Sequence, residues 1–198
     1  MADPKQLVAL AERVIDAARG LGIETALIGA TALAVHNYER ATQDLDLASN
    51  VDPDVKLVEL EGAVQALAFH TKLRLPDGDD DLGGVLDIAV EVDEDGDLIP
   101  VLQIVNFYNP HRPRNNPGAD AVARAEPLEG APLLRCARLD DLIALKLYSG
   151  SRQDLGDVVA LLARNPDADF DQIRTTCAPY GFTDILETLI AEASAQRG

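Results

Sequence analysis

The chain has 198 residues, 47% of them hydrophobic, which is enough to bury one substantial core or two small ones and too much for general disorder. Its 17 Lys and Arg against 34 Asp and Glu give a formal net charge of −17, which argues against non-specific binding to DNA or along any nucleic-acid backbone. An RNA partner would need a local basic site or a bridging metal. Cys136 and Cys177 form no metal-ligand spacing and read as buried thiols. There is neither a basic leader nor an apolar run of membrane-spanning length, so a soluble cytoplasmic protein is expected.

Along the chain, Leu7, Leu10, Val14 and Ala17 recur at helical spacing over residues 4–19, and Gly20 and Gly22 end the pattern. A short strand over 25–28 leads into a turn at Gly29 and a helix over 31–35. A second strand carries Asp44-Leu45-Asp46. Asp52-Pro53 is a helix start, with a capping carboxylate and a proline in the first turn, and the helix should reach about residue 68. Strands follow over 71–75, 85–92 and 99–107, separated by the acidic turns 76–81 and 93–97. These turns lack the later acidic ligand of a calcium-binding EF-hand. The proline-rich stretch 109–118 reads as an exposed loop between subdomains; its His111, Arg112 and Arg114 leave open either a solvated loop or a phosphate or RNA contact. Helices are expected over 139–149, 153–164, 170–178 and 183–195.

The chemistry concentrates at Asp44 and Asp46. Side chains alternate along a strand, so the two carboxylates share a face, and two like charges held that close favour a hard divalent cation between them. Gly29 opens a strand-turn-helix unit whose backbone amides can face a phosphate. Arg40 and Thr42 flank the acid pair with the same alternation and are candidates to orient a carboxylate or meet a phosphate. Lys146 lies among Leu142, Leu145 and Tyr148 on an otherwise apolar helix face, where reaching a phosphate or the acids would explain it. His36, His70 and His111 are isolated and are not expected to bind metal.

The order Gly29-Ala30-Thr31, a short Ala/Leu-rich helix, Arg40-Ala41-Thr42-Gln43-Asp44-Leu45-Asp46, then Lys146-Leu147-Tyr148-Ser149 and Arg152-Gln153-Asp154-Leu155-Gly156-Asp157, resembles the nucleotidyltransferase superfamily with the DNA polymerase β-like fold. Within it, the chain is most similar to the abortive-infection nucleotidyltransferases, the toxin half of AbiE-type toxin-antitoxin systems, and to their unassigned relatives. The likeness covers roughly residues 20–165. It implies an α+β fold, with a nucleotidyltransferase core of mixed sheet over 1–117 and a helical subdomain over 118–198 that closes the nucleotide cleft. It further implies Mg²⁺ or Mn²⁺ held by Asp44 and Asp46, an NTP substrate, a hydroxyl acceptor on RNA (such as a tRNA end) or protein, and a cognate antitoxin.

Gly29, Ala30, Thr31, Arg40, Thr42 and Lys146 would then bind the nucleotide, with Thr31 standing in for the Gly or Ser usual at position 30. Arg152, Asp154 and Asp157 would support the helices. The family's site is completed by a third carboxylate on a neighbouring strand. Asp87 is the candidate for it, as metal ligand or base, because an acid within an apolar strand needs a partner. Glu91 is a distant second, and if Gln103 is the true equivalent the third acid is missing. The alternative function is a degenerate relative that binds nucleotide or a protein partner without turnover.

Overall fold

The computed structural model describes residues 4–42 and 44–196. Strands β1 (Ala26–Ile28), β2 (Leu45–Ser49), β3 (His70–Arg74), β4 (Val85–Val92), β5 (Leu98–Asn106), β6 (Glu126–Leu128) and β7 (Ala131–Cys136) form one mixed sheet. Their order is β3-β4-β5-β2-β1-β7-β6. β1 runs parallel to β7 and β2 parallel to β5, while the other neighbours are antiparallel.

Register turns the alternation of each strand into two kinds of row across the sheet. Leu27, Leu47, Ile104, Leu86 and Leu73 are successive partners and form an apolar row. The first four are fully buried, each contributing about 1.5–3 kcal/mol of hydrophobic stabilisation. The next row along reads Ile28, Asp46, Gln103, Asp87 and Lys72. Directly paired residues point to the same side, so this polar row lies on the opposite face from the leucines.

Helix α1 (Pro4–Gly20) buries Ala11, Val14, Ile15 and Ala18, whereas Leu7 and Leu10 of the expected stripe are only partly covered. The helix is rotated so that two alanines face inward. Helix α2 (Gly29–Val35) starts at Gly29 itself, two residues earlier than its pattern indicates. Asp52 caps the next helix, its Oδ1 accepting from the Asp54 amide at 3.1 Å. The opening turn Pro53–Leu57 is a π-turn that runs into α3 (Val58–Ala66). α3 packs against α1 and β3.

Beyond β5 come α4 (Gly118–Arg124), α5 (Leu139–Ser149), α6 (Arg152–Arg164), α7 (Phe170–Cys177), a 3₁₀ turn at Ala178–Tyr180 and α8 (Thr183–Ala195). Strands β6 and β7, which the composition does not announce, carry the sheet past residue 117. The division into 1–117 and 118–198 therefore runs through one continuous sheet.

The loop at 109–118 is tied down rather than free. Asn109 Nδ2 is shared among the carbonyls of Asp77, Asp80 and Leu82 at 3.0, 2.9 and 3.2 Å. Arg112 and Arg114 both pair with Asp81, at 3.1 and 2.8 Å. The loop's cations are thus engaged by the first acidic turn, and no three acids, histidines or cysteines among the described residues are grouped to hold a metal ion. Asn106, fully buried, joins three segments: its Oδ1 accepts from Ser49 Oγ and the Val51 amide, and its Nδ2 donates to the carbonyls of Val51, Gly83 and Tyr108.

Burial pushes the thiols of Cys136 and Cys177 up to about 12, so these unpaired cysteines are packing residues with little thiolate at neutral pH. None of the described helices is long and apolar enough to cross a membrane.

Ala68, just past α3, has φ +65°. This left-handed conformation strains a residue with a Cβ by about 1–2 kcal/mol, partly offset in a glycine variant by its looser unfolded state. Ala68→Gly should therefore raise Tm by about 2 °C, equivalent to roughly 0.5–1 kcal/mol. An unchanged or lower Tm in a thermal melt would contradict this.

Candidate active site

Asp46 is positioned by the antiparallel pair β1–β2. It stands opposite Ile28 in register, immediately before the turn at Gly29. Gly29 has φ +64°, and a Cβ built there would collide with the Asp46 carboxylate, Oδ2 first. The space that glycine leaves open is therefore taken by Asp46 itself, which is pinned over the start of α2. Asp44 lies one residue before β2 and accepts a hydrogen bond from Thr42 Oγ1 at 2.7 Å. Burial and the neighbouring Asp44 charge push the Asp46 carboxyl up to about 6, although Lys146 and Arg40 pull it the other way. Two hard oxygen donors held together against their own repulsion fit a divalent cation.

The cations face the acids from a second network. Lys146 Nζ, on α5, donates to Asp154 Oδ1 at 2.5 Å and to Asp157 Oδ2 at 2.8 Å. Arg40 Nη1 meets the same Asp157 oxygen at 3.2 Å. Burial opposes the charge on Asp154, but hydrogen bonds from Lys146, Ser149 and Ser151 outweigh it and hold the carboxyl below its ordinary value. Asp154 and Asp157 thus fix the orientation of Lys146 and Arg40 near Asp46. Arg152 is exposed and makes no ion pair among the described residues, so it takes no part in this network. Ala30 is buried within α2 and Thr31 half-buried.

Between this part of the sheet and α5 lies a cleft of about 320 Å³, lined in part by Gly29, Leu82, Phe107, Leu142, Lys146 and Tyr148. Phe107 and Tyr148 form a tilted aromatic pair with ring centres 6.4 Å apart. The Tyr148 hydroxyl donates to the Asp81 carbonyl at 3.1 Å and fixes the 77–82 loop at the cleft edge. One wall is thus apolar and aromatic and the other ionic.

Among the described residues, Asp87 is not grouped with Asp44 and Asp46 as the expected three-carboxylate site would have it. Asp87 pairs with Gln103, and Gln103 pairs with Asp46, so a whole strand intervenes. The charges that act on the Asp46 carboxyl are those of Asp44, Lys146 and Arg40, not that of Asp87. Asp87 instead accepts from Gln103 Nε2 at 2.7 Å, pairs with Arg74 at 3.5 Å, and borders a separate hollow of about 760 Å³ with His70 and Lys72. The residue directly beside Asp46 on β5 is Gln103, an amide. Glu91 lies four residues further along β4 in its exposed end.

His36 plays a structural part. Its Nε2 lies 2.8 Å from the Ala137 carbonyl, just before α5. Asn165 Nδ2 donates to the His36 carbonyl at 2.9 Å, which joins the end of α2 to the end of α6.

No protein-family model matches the chain, and comparison with curated proteins finds no match. Among solved structures, the antibiotic-resistance factor ANT(2'')-Ia in solution aligns over 98% of this chain and 100% of its own, with a TM-score of 0.57 and 14% identity. An antigenic nucleotidyltransferase-like protein from Paracoccidioides brasiliensis aligns over 95% of this chain and 93% of its own (TM-score 0.47, 14% identity). JHP933 from Helicobacter pylori aligns over 98% and 96% (TM-score 0.42, 14% identity). The chain has the α+β nucleotidyltransferase fold, with a mixed sheet and helices as the sequence led us to expect.

The Asp46 carboxyl titrates near 6 in the folded chain against 3.8 ordinarily. A raised carboxylate value means that the protonated form is favoured by folding. The stabilisation is therefore present below about pH 4 and is lost as pH rises through 6. Such a shift is worth about 3 kcal/mol at most, reduced by solvent at this half-buried site to about 1–2 kcal/mol. Asp46→Asn should raise Tm at pH 8 by about 4 °C in chelator-treated buffer and leave it unchanged at pH 4. A variant no more stable than wild type at pH 8 would refute the strained-carboxylate assignment.

Proposed function

We propose that the cleft binds a nucleoside triphosphate chelated to Mg²⁺ or Mn²⁺ and that the chain transfers the nucleoside monophosphate to a hydroxyl acceptor. The observation that carries this reading is the Asp46 carboxylate pinned over Gly29 beside Asp44, with Lys146 and Arg40 held near it and a cleft alongside. A bound divalent cation would offset the two carboxylates and screen the charge of the triphosphate. Asp44 and Asp46 would hold it, and Gly29 leaves the carboxylate room to sit at the phosphate end of the cleft.

Lys146 and Arg40, fixed by Asp154 and Asp157, supply positive potential to the triphosphate without moving far. Phe107, Leu142 and Tyr148 offer a surface on which a planar base can stack. In the reaction, the acceptor oxygen bonds to the α-phosphorus, the bond from that phosphorus to the bridging oxygen breaks, and pyrophosphate leaves with the electron pair. The hydroxyl proton passes to solvent, since no third carboxylate faces the pair. Resemblance to the toxin family points to an RNA end or a protein hydroxyl as acceptor, in a cytoplasmic reaction restrained by a cognate antitoxin.

The amide at position 103 favours a second reading, nucleotide binding without turnover, because a positioned base is worth about 10²–10⁴ in rate and none stands beside Asp46. One experiment separates the two. The full chain is incubated with each labelled NTP, Mg²⁺ and total RNA or protein, alongside Asp46→Asn. Transfer by wild type and none by the variant is expected. Binding of NTP and metal without transfer would establish the second reading, and equal labelling by both chains would remove Asp46 from the site.

A further inference from the structure

The polar row across the sheet carries an oxygen that a search for acids passes over. Gln103 stands between Asp46 and Asp87, paired in register with both. Its amide is not free to turn: Nε2 donates to Asp87 Oδ1 at 2.7 Å, and an ionised carboxylate accepts only. With the nitrogen given to Asp87, Oε1 is the amide atom left for another partner, and Asp46 stands one strand spacing away in register. Asp87 is itself held in place, 8% exposed and paired with Arg74.

We propose that Gln103 Oε1 is the third protein oxygen of the divalent-cation site, beside Asp44 and Asp46, and that Asp87 is a positioning residue that sets the orientation of the amide. This rests on the reading that Asp44 and Asp46 hold a metal. An amide oxygen is a hard donor suited to Mg²⁺ or Mn²⁺. A ligand held by an outer carboxylate is a common arrangement in metal sites, and loss of the outer group typically costs about 10–100-fold in affinity. With two carboxylates and one amide, the protein ligands carry a charge of −2, matched by a single divalent cation. The arrangement supplies a ligand where it does not supply a base.

The test is Mn²⁺ titration of the full chain, without nucleotide, by calorimetry and by Mn²⁺ electron spin resonance, with thermal melts of the metal-free variants to establish folding. Gln103→Leu should weaken Mn²⁺ about tenfold or more, while Gln103→Glu, which keeps an oxygen, should bind at least as well as wild type. Asp87→Ala should weaken Mn²⁺ about tenfold, and Asp87→Asn, whose Oδ1 can still accept from Gln103, should restore most of it. The double variant Gln103→Leu/Asp87→Ala should be no worse than Gln103→Leu alone, because the two act through one ligand.

Wild-type affinity in a folded Gln103→Leu chain would overturn the proposal. If that chain does not fold, equal affinities for Asp87→Ala and wild type would overturn it instead. Mn²⁺ binding that is lost in Asp46→Asn but kept in Gln103→Leu would refute only the role of Gln103. No Mn²⁺ binding by wild type would refute the Asp44–Asp46 metal reading as well.

Discussion

The contact on which the site depends is the one between the Asp46 carboxylate and the bare Cα of Gly29. It joins the end of β1 to the start of β2 and fixes where α2 begins, one strand-to-helix turn serving both packing and chemistry. A side chain at position 29 would displace the carboxylate, and a different register between β1 and β2 would send Asp46 to the leucine face. The apolar row headed by Leu27 and Leu47 excludes the second possibility, because slipping by one residue would bury charge and expose the core. Hydrophobic alternation thereby specifies the position of an ionised group that is itself unfavourable to folding.

The uneven charge of the chain is managed by local pairing. Its arginines and lysines are placed where acids would otherwise crowd: Arg112 and Arg114 on Asp81, Lys146 on Asp154 and Asp157, Arg124 on the buried Asp141. Asp141 is not fully compensated; burial and the adjacent Asp140 push its carboxyl up to about 6 despite Arg124. The Asp44–Asp46 pair differs from these. Arg40 and Lys146 act on it from nearby but are committed by hydrogen bonds to Asp157, so the acids keep a demand for positive charge that the protein does not itself meet.

Much of this was legible in the sequence. Asp44-Leu45-Asp46 and the upstream glycine marked a strand and a turn that folding does place side by side, and the patterns at 139–149 and 183–195 matched α5 and α8, each an unbroken run without Gly or Pro. What was not legible came from pairing between distant segments. Nothing local distinguishes Asp87 from Gln103 as the neighbour of Asp46; only the strand order β4-β5-β2 decides it. Strands β6 and β7 escaped because each is short, one contains Pro127 and the other Pro132, and their strand character is conferred by the sheet they join. The basic loop at 109–118 left open a solvated loop or an outside anion, and folding brings it onto the acidic turn at 77–81.

The hydrogen bond between His36 and the Ala137 carbonyl has a mechanical implication. Ala137 lies two residues ahead of the helix that carries Lys146, and His36 terminates the one that begins at Gly29. The imidazole is therefore a tie-rod between the carboxylate end of the cleft and its ammonium end. With Asn165, at the end of α6, donating to the carbonyl of the same histidine, the segment that follows Gly29 and the one that leads into the Lys146 helix are held by a common polar anchor, so the width of the cleft is set by the fold and not by its lining side chains alone.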